Sequence, residues 1–459
     1  MPSSGTFEPE MIFANASART KFVMCGAAGI VVGGLALGLL LHRAPARENV
    51  IAQRSELEPD PAIVRYRFAI TGADISADPA ATIKALEARI AQLDSPFETA
   101  ELADLYFRRA QLEGDKQDYD TAEAMARRSL GLLRTPNPAL LTLAKLANAR
   151  HQFREAIELA REHKQRSSST QIVLATAYLA LGELGDAASA ANQAVEIKPD
   201  IGAYQMRALV MQAQGRDTEA AFDFANAARV EEPGDAQGSA RTRALWGRFL
   251  LHRGEYAGAA LLFAESLRIV PGFPLGLELQ GELALRTGHA KEASALFEQA
   301  FAASRQVRYL IDQARAQELA GDRVGADALR AQVEVIVRGE LGEGGLGHRL
   351  DLVEVLIDRN KPERFAEAVA LAKEEVGKRG SFEARFQLAR ALARVGNRDE
   401  AIAQVQAALA NGTHEAQLYE LASRLEGQRG NVQRAAMYKR LADRLDPGNS
   451  GWRSMGMTR

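Results

Sequence analysis

Few residues in this chain have the types and spacing that chemistry needs. Gly342-Glu343-Gly344-Gly345-Leu346-Gly347 fits G-x-G-x-x-G and follows the apolar run Val333-Glu334-Val335-Ile336-Val337. In that arrangement a glycine loop can cradle the pyrophosphate of a dinucleotide at a helix N-terminus. The chemistry requires the apolar run to be a strand inside a βαβ unit. Here Ala326 and Arg330 lead into the run at helical spacing, and Glu340 and Glu343 would set negative charge beside a pyrophosphate. The loop therefore reads as a glycine-rich connector. The histidines (His42, His151, His163, His252, His289, His348 and His414) are scattered, with no H-E-x-x-H and no close grouping with carboxylates. There is no G-x-S-x-G and no phosphate-binding lysine loop. The single cysteine, Cys25, excludes an internal disulfide framework and a cysteine-rich zinc site. The expectation is a chain without catalytic residues, bound cofactor or metal.

The elements that would position any site follow from a pattern recurring about every 34 residues, which is the mark of a helical solenoid. A small residue in a first helix is followed twelve positions later by an alanine: Ala110 and Ala122, Ala144 and Ala156, Ala208 and Ala220, Ala314 and Ala326, Ala389 and Ala401, Ser423 and Ala435. The segment from Ser168 reads Leu174-Ala175, Tyr178, Ala187, Ala191, Ala194, Val195, Pro199. The next clear ones carry Trp246-Gly247, Gly254, Tyr256, Ala259, Phe263, Leu267, Pro271, and Gly281, Gly288, Ala293, Phe297, Ala300. Leu356 with Ala368 keeps the spacing with a large residue in the small slot. Two antiparallel helices of about 14 residues plus two turns use about 34 residues, and the small pair lets them approach closely. Gly254, Gly288, Gly321, Gly396 and Gly430 fall at the intervening turns, where a helix often ends with positive φ. Longer connections are expected at Pro233–Ser239 and Gly339–Gly347.

On these residues the chain resembles the tetratricopeptide repeat, with its W-x2-L-G-x2-Y…A-x3-F…P pattern. The resemblance covers about three quarters of the chain. It implies an all-α fold, a right-handed superhelical solenoid of about ten helix–turn–helix repeats, whose first helices line a concave face that holds peptides or helices. Carried over residue by residue, the positions flanking the small slots become the candidate partner-binding groove: Lys145, Asn148, Gln205, Gln212, Arg248, His252, Glu278, Glu282, Arg315, Arg390, Arg394 and Arg424. The peptide-clamping version of the repeat grips a terminal carboxylate with paired lysines and asparagines. Only Lys145 and Asn148 match it, in one repeat, which speaks against that mode. A groove acidic near Glu278 and basic toward Arg390 suggests a partner of patterned charge.

Composition narrows the function class. Apolar residues are 47% and charged residues 25% of 459, ordinary for a soluble protein, and the net charge is −2. With no basic excess to neutralise phosphates, nucleic acid is not the expected partner. Phe22–Leu41 is uncharged over 20 residues and as a helix spans about 30 Å, so it reads as a single-pass membrane helix. A cleaved signal peptide with Ala44-Pro45-Ala46 as its site is the alternative, although Arg43 intrudes. Arg19 and Lys21 on one side barely differ from Arg43, Arg47 and Arg54 on the other. The short basic tail favours amino-end-in, with the repeats outside the cytoplasm, in the inner membrane of a bacterium. Gly29 with Gly33, and Gly34 with Gly38, form G-x-x-x-G spacings, for which frequent membrane glycine is the simpler reading.

The chain is thus read as a tail (1–21), a transmembrane helix (22–41), a linker (42–77), a packing helix (78–96), the solenoid (97–447) and a loose tail (448–459). Within the linker, Ile63–Ile75 alternates in part as an extended segment would. The expected function is a membrane-anchored scaffold that binds other proteins in its groove, with bacterial envelope assembly as a setting by analogy. A self-associating structural oligomer is the alternative, and an enzyme built on the Gly342 loop a third.

Overall fold

Where the two helices of a repeat cross, most of the predicted small residues are buried completely, while Ser423 and Ala435 of the last pair are partly buried. Ala110, Ala122, Ala144, Ala156, Ala208, Ala220, Ala314, Ala326, Ala389 and Ala401 expose nothing. A Cβ on Gly281 would lie 2.8 Å from the ring of Phe297, and the Ser423 hydroxyl donates to the Ala435 carbonyl at 2.9 Å. The crossing has no spare volume. The large side chains of this layer, Phe224, Phe263 and Phe297, are buried to 1% or less, each worth about 1.5–3 kcal/mol of transfer free energy.

The computed structural model describes residues 54–71, 79–342 and 348–448, within one compact unit. Ten hairpins follow one another. Repeat 1 pairs Pro96–Glu113 with Lys116–Leu132, repeat 2 Ala139–Ala149 with Phe153–Glu162, and repeat 3 Ser168–Leu181 with Leu184–Ile197. Repeat 4 pairs Ile201–Ala213 with Asp217–Arg229, repeat 5 Ala236–Leu251 with Tyr256–Ile269, and repeat 6 Pro274–Arg286 with Ala290–Ala303. Repeat 7 pairs Val307–Leu319 with Arg323–Gly342, repeat 8 Arg349–Asp358 with Phe365–Lys378, repeat 9 Phe382–Arg394 with Arg398–Leu409, and repeat 10 Ala416–Gln428 with Val432–Leu445. Short polar residues start several of these helices: Ser95, Asp115, Ser167, Asp200 and Ser381 each accept a backbone N–H of the first turn. The five turn glycines singled out in the sequence all have positive φ.

Throughout the stack each first helix packs on the first helix of the next repeat, and no second helix makes comparable contact with the next second helix. The layer whose members are closer together must lie on the inside of the curve. The first helices therefore form the inner face, as the resemblance implied.

The stack also closes on itself. Turns between the two helices of early repeats meet the loops between late repeats, far off in sequence. Gly380 donates its N–H to the Leu181 carbonyl at 3.0 Å. The Arg379 guanidinium lies over the ring of Phe153, and Arg253 donates to the His414 carbonyl at 2.9 Å. Tyr256 donates its hydroxyl to Asp446. Glycine is required at two points of this seam. Gly182 and Gly215 have φ of 78° and 69°, and a side chain on either would run into the backbone of Gly380 or Gly412.

The stretch read as a linker contains a packed strap. Residues 54–71 cross the second helices of repeats 4 and 5 with Leu57, Val64 and Tyr66 buried. Arg243, wholly buried, ties the strap down. It donates to the Val64 carbonyl at 2.8 Å and holds Glu231 through two bonds of 2.6 and 3.1 Å. Tyr66 donates its N–H to Glu265 at 2.7 Å. Apolar side chains at Leu57 and Val64 explain why a proline-bearing segment docks. Pro61–Val64 is a helical turn, whereas the partial alternation over Ile63–Ile75 suggested extended chain. The packing helix is Ala80–Gln92, which lies on the first helix of repeat 1 through Ile83, Leu86 and Ile90. Leu93, within the span 78–96 expected for this helix, is instead 75% exposed, because the helix ends before it and the backbone turns extended.

Val333–Val337 lies inside the helix Arg323–Gly342, so no strand precedes the glycine motif, and no strand occurs among the described residues. Glu343–Gly347 of that motif lies outside the described residues. So do the tail 1–21, the span Phe22–Leu41 with Cys25 and its glycine pairs, residues 72–78 and residues 449–459. Among the described residues no helix is long and apolar enough to cross a membrane.

Candidate functional site

The first helices bring most of the candidate groove residues to the inner face, but they divide by what their charges meet. In repeats 7 to 9 the charges meet each other. Arg315, 7% exposed, pairs with Asp312 at 3.1 Å and with Glu354. Arg308 reaches Asp312 at 3.0 Å and Glu354 at 2.8 Å. Arg390, 3% exposed, pairs with Asp358 at 2.5 Å and donates to the Gln387 side-chain carbonyl at 2.9 Å. Burial and the neighbouring Arg308 bring the Arg315 guanidinium down to about 10. Burial works against charge on Asp358, but Arg390 and Arg315 overcome it and hold its carboxyl below the usual range. The groove is thus not basic toward Arg390, contrary to the sequence expectation. Asp312 on the helix of Arg308 and Arg315, and Glu354 and Asp358 on the first helix of repeat 8, neutralise it.

Repeats 5 and 6 are different. Arg248 is half-buried and Arg241, two helical turns before it, is exposed, yet neither donates a hydrogen bond or ion pair among the described residues. Burial and the adjacent Arg248 lower the Arg241 guanidinium. Water reaches this side chain while protein surrounds it on most sides, which is what an inner face produces. Opposite lies Glu278, half-buried and without an ion pair among the described residues. It is pushed up to about 8 by burial and by the carboxylates of Asp312 and Glu282, against the pull of Arg248 and Arg308.

A third group joins the inner face to the seam. His252 sits between Glu282, 3.3 Å from Nε2, and Glu415, 3.3 Å from Nδ1. Burial opposes its protonation, but the two carboxylates outweigh burial and raise its pKa. Glu282 also holds Arg286 at 2.7 Å, and its own carboxyl is driven down by Arg286 and His252 despite burial. Behind them Asp217, Arg253 and His414 are almost wholly buried, with Arg253 on Asp217 at 2.9 Å and His414 Nδ1 on Asp217 at 3.0 Å. The sequence search grouped none of these, because Asp217 and His414 are 197 positions apart.

The remaining candidates stand apart. Lys145 pairs with Asp104 at 2.8 Å, and Asn148 donates to the Val173 carbonyl at 3.0 Å, so the pair that matched a carboxylate clamp bonds to neighbouring first helices. Gln205 is buried and donates to Thr242 at 2.6 Å. Gln212 is half-buried on the inner helix of repeat 4. Arg394 donates to Asn360 and lies over the Phe365 ring, and Arg424 pairs with Glu420 at 3.3 Å. Among the described residues, no group of three or more His, Cys, Asp or Glu could hold a metal ion.

Residues 169–201, which form repeat 3 and the start of repeat 4, match the family model described as Tetratricopeptide repeat. That segment is of the TPR type, and it sits within a continuous stack of helical hairpins. No curated protein matches it. Among solved structures it is similar to a human IFIT1 dimer with PPP-AAAA, at 15% identity over 83% of this chain and 96% of that one, with a TM-score of 0.44. It is similar also to a thermophilic TPR protein of Thermus thermophilus, at 22% identity over 39% and 94%, with a TM-score of 0.34. A TPR protein from Parabacteroides merdae shares 18% identity over 51% and 92%, with a TM-score of 0.36. Such values bear on no ligand. What distinguishes this stack is the split of its inner face into a self-neutralised stretch and a stretch with charge left over.

Proposed function

We propose that the chain is a scaffold that receives a partner protein along the inner face of its TPR stack. The observation that carries this reading is the set of charged side chains on repeats 5 and 6 that face inward and have no partner among the described residues. A buried or half-buried charge costs free energy unless something pairs with it. The reading assigns no catalytic role to the chain. It takes Phe22–Leu41 as the tether, which would hold the scaffold at a bilayer and raise the local concentration of what it binds. It takes the repeats as lying outside the cytoplasm, and bacterial envelope assembly as the setting, the last resting on fold-level analogy.

Photo-reactive residues placed at Gln212 and Arg424, on inner helices, and at Phe222 and Val324, which are 61% and 85% exposed on second helices, test the scaffold. Irradiation of native membranes should give partner adducts from the inner positions only. Adducts from the outer positions alone would end the reading, and adducts to a second copy of the chain would favour self-assembly. Deleting residues 22–41 should release the protein from membranes, and protease access in spheroplasts should reach the repeats. Retention, or protection, would remove the tether or the orientation.

A further inference from the structure

We infer that Arg241 and Arg248 form an anion-binding station on the inner face, and that the partner offers it an acidic peptide segment. The inference rests on the scaffold reading and names the chemistry of its partner. Several inner-face and seam guanidiniums are matched to a carboxylate: Arg286 to Glu282, Arg308 and Arg315 to Asp312 and Glu354, Arg390 to Asp358. Arg241 and Arg248 lie two turns apart on one side of the same helix, and burial and the Arg248 charge both oppose the charge on Arg241. The nearby carboxyl that could compensate them, Glu278, is crowded by Asp312 and Glu282 and forms no ion pair with them.

Two guanidiniums supply hydrogen-bond donors suited to carboxylate or phosphate oxygens. Arg241 and Arg248 are seven residues apart on one helix, about 10 Å of rise. Extended chain covers that distance in about three residues. Only an even separation puts two side chains on one face of an extended strand, so acidic side chains four positions apart, about 13 Å, can meet both flexible arginines, whereas adjacent acids point to opposite sides and reach one.

The test uses the full chain and fluorescein-labelled nonapeptides, read by anisotropy. One carries glutamates four positions apart, one carries them adjacent, and one has glutamines in their place. The spaced acidic peptide should bind at least about tenfold more tightly than the glutamine peptide. That difference should vanish in Arg241→Gln/Arg248→Gln and shrink with added salt. Because neither arginine holds another residue, the double variant should keep the parent melting temperature, and Arg241→Lys/Arg248→Lys should restore part of the binding. Equal binding of the acidic and glutamine peptides, or acidic-peptide binding untouched by the double variant, overturns the inference. Displacement of the peptide by single-stranded RNA at a lower concentration than by the acidic peptide itself also overturns it. If native partner adducts still form at Gln212 while these peptides fail, the scaffold stands and the acidic specificity alone is lost. If the peptides behave as expected and no inner adduct forms, the scaffold reading fails instead.

Discussion

Repeats 7 to 9 and repeats 5 and 6 are built from the same hairpin, yet their inner faces use charge in opposite ways. In the former, Arg308, Arg315 and Arg390 interlock with Asp312, Glu354 and Asp358, and Arg315 and Arg390 are drawn out of water. In the latter, Arg241, Arg248 and Glu278 stay half-buried or exposed and form no ion pair among the described residues. A network that satisfies itself stiffens the stack and offers a visitor little. Leftover charge contributes nothing to the fold and is open to something else. Charged residues on an inner face are therefore not interchangeable as evidence for binding, and their partners decide which kind they are.

The contrast is sharpest in stability. Arg390→Ala leaves Asp358 buried without its counter-ion and should cost about 3–5 kcal/mol in chemical denaturation. Arg248→Ala should stay within about 0.5 kcal/mol of the parent, as substitutions away from such networks do. Similar losses at the two sites would erase the distinction.

A second effect concerns the seam that encloses both regions. Gly215→Ala puts a methyl against the Gly412 backbone at a positive φ and should cost about 1–3 kcal/mol. Small-angle scattering should show a larger radius of gyration if the seam opens, and hydrogen exchange should rise at 412–415. An unchanged radius together with unchanged exchange would mean that the seam does not hold the coil closed.

Glu278 gives a smaller and pH-dependent effect. Its carboxyl sits at about 8 in the folded chain against an ordinary value of 4.5. The folded state therefore prefers the protonated form. The penalty is absent below about pH 4.5, grows as pH rises toward 8, and is complete above it. Glu278→Gln should be neutral at pH 4 and stabilising at pH 9, by about 1 kcal/mol after allowance for solvent screening. A stability difference that does not change between those values would show that Glu278 is paired after all, and would bring repeats 5 and 6 closer to repeats 7 to 9.

Much of the fold was legible because it is local. The small-residue pairs, the turn glycines and the period all operate within about 34 residues. The site was legible only in part. Inner-face membership followed from position beside the small slot, and Arg248, His252, Glu278 and Glu282 do gather there. Arg241 was overlooked because only positions close to the small slot at Gly247 were carried over, and it lies well before that slot on the same helix. Arg315 and Arg390 were read as available because the pattern gave no sign of the carboxylates that meet them, Glu354 and Asp358, which sit in repeat 8.

Periodicity by itself determined that this chain would be a stack of helical hairpins with an inner and an outer layer, since each hairpin's form depends on contacts among near neighbours. Only the folded coil decided that the stack returns to touch itself, that residues 54–71 bind across repeats 4 and 5, and which inward charges are spent. Those outcomes depend on groups such as Asp217 and His414, or Val64 and Arg243, brought together from 179 to 197 positions apart. Ion pairing is settled by distance in space, and a one-dimensional pattern carries no record of that distance once the chain has turned back on itself.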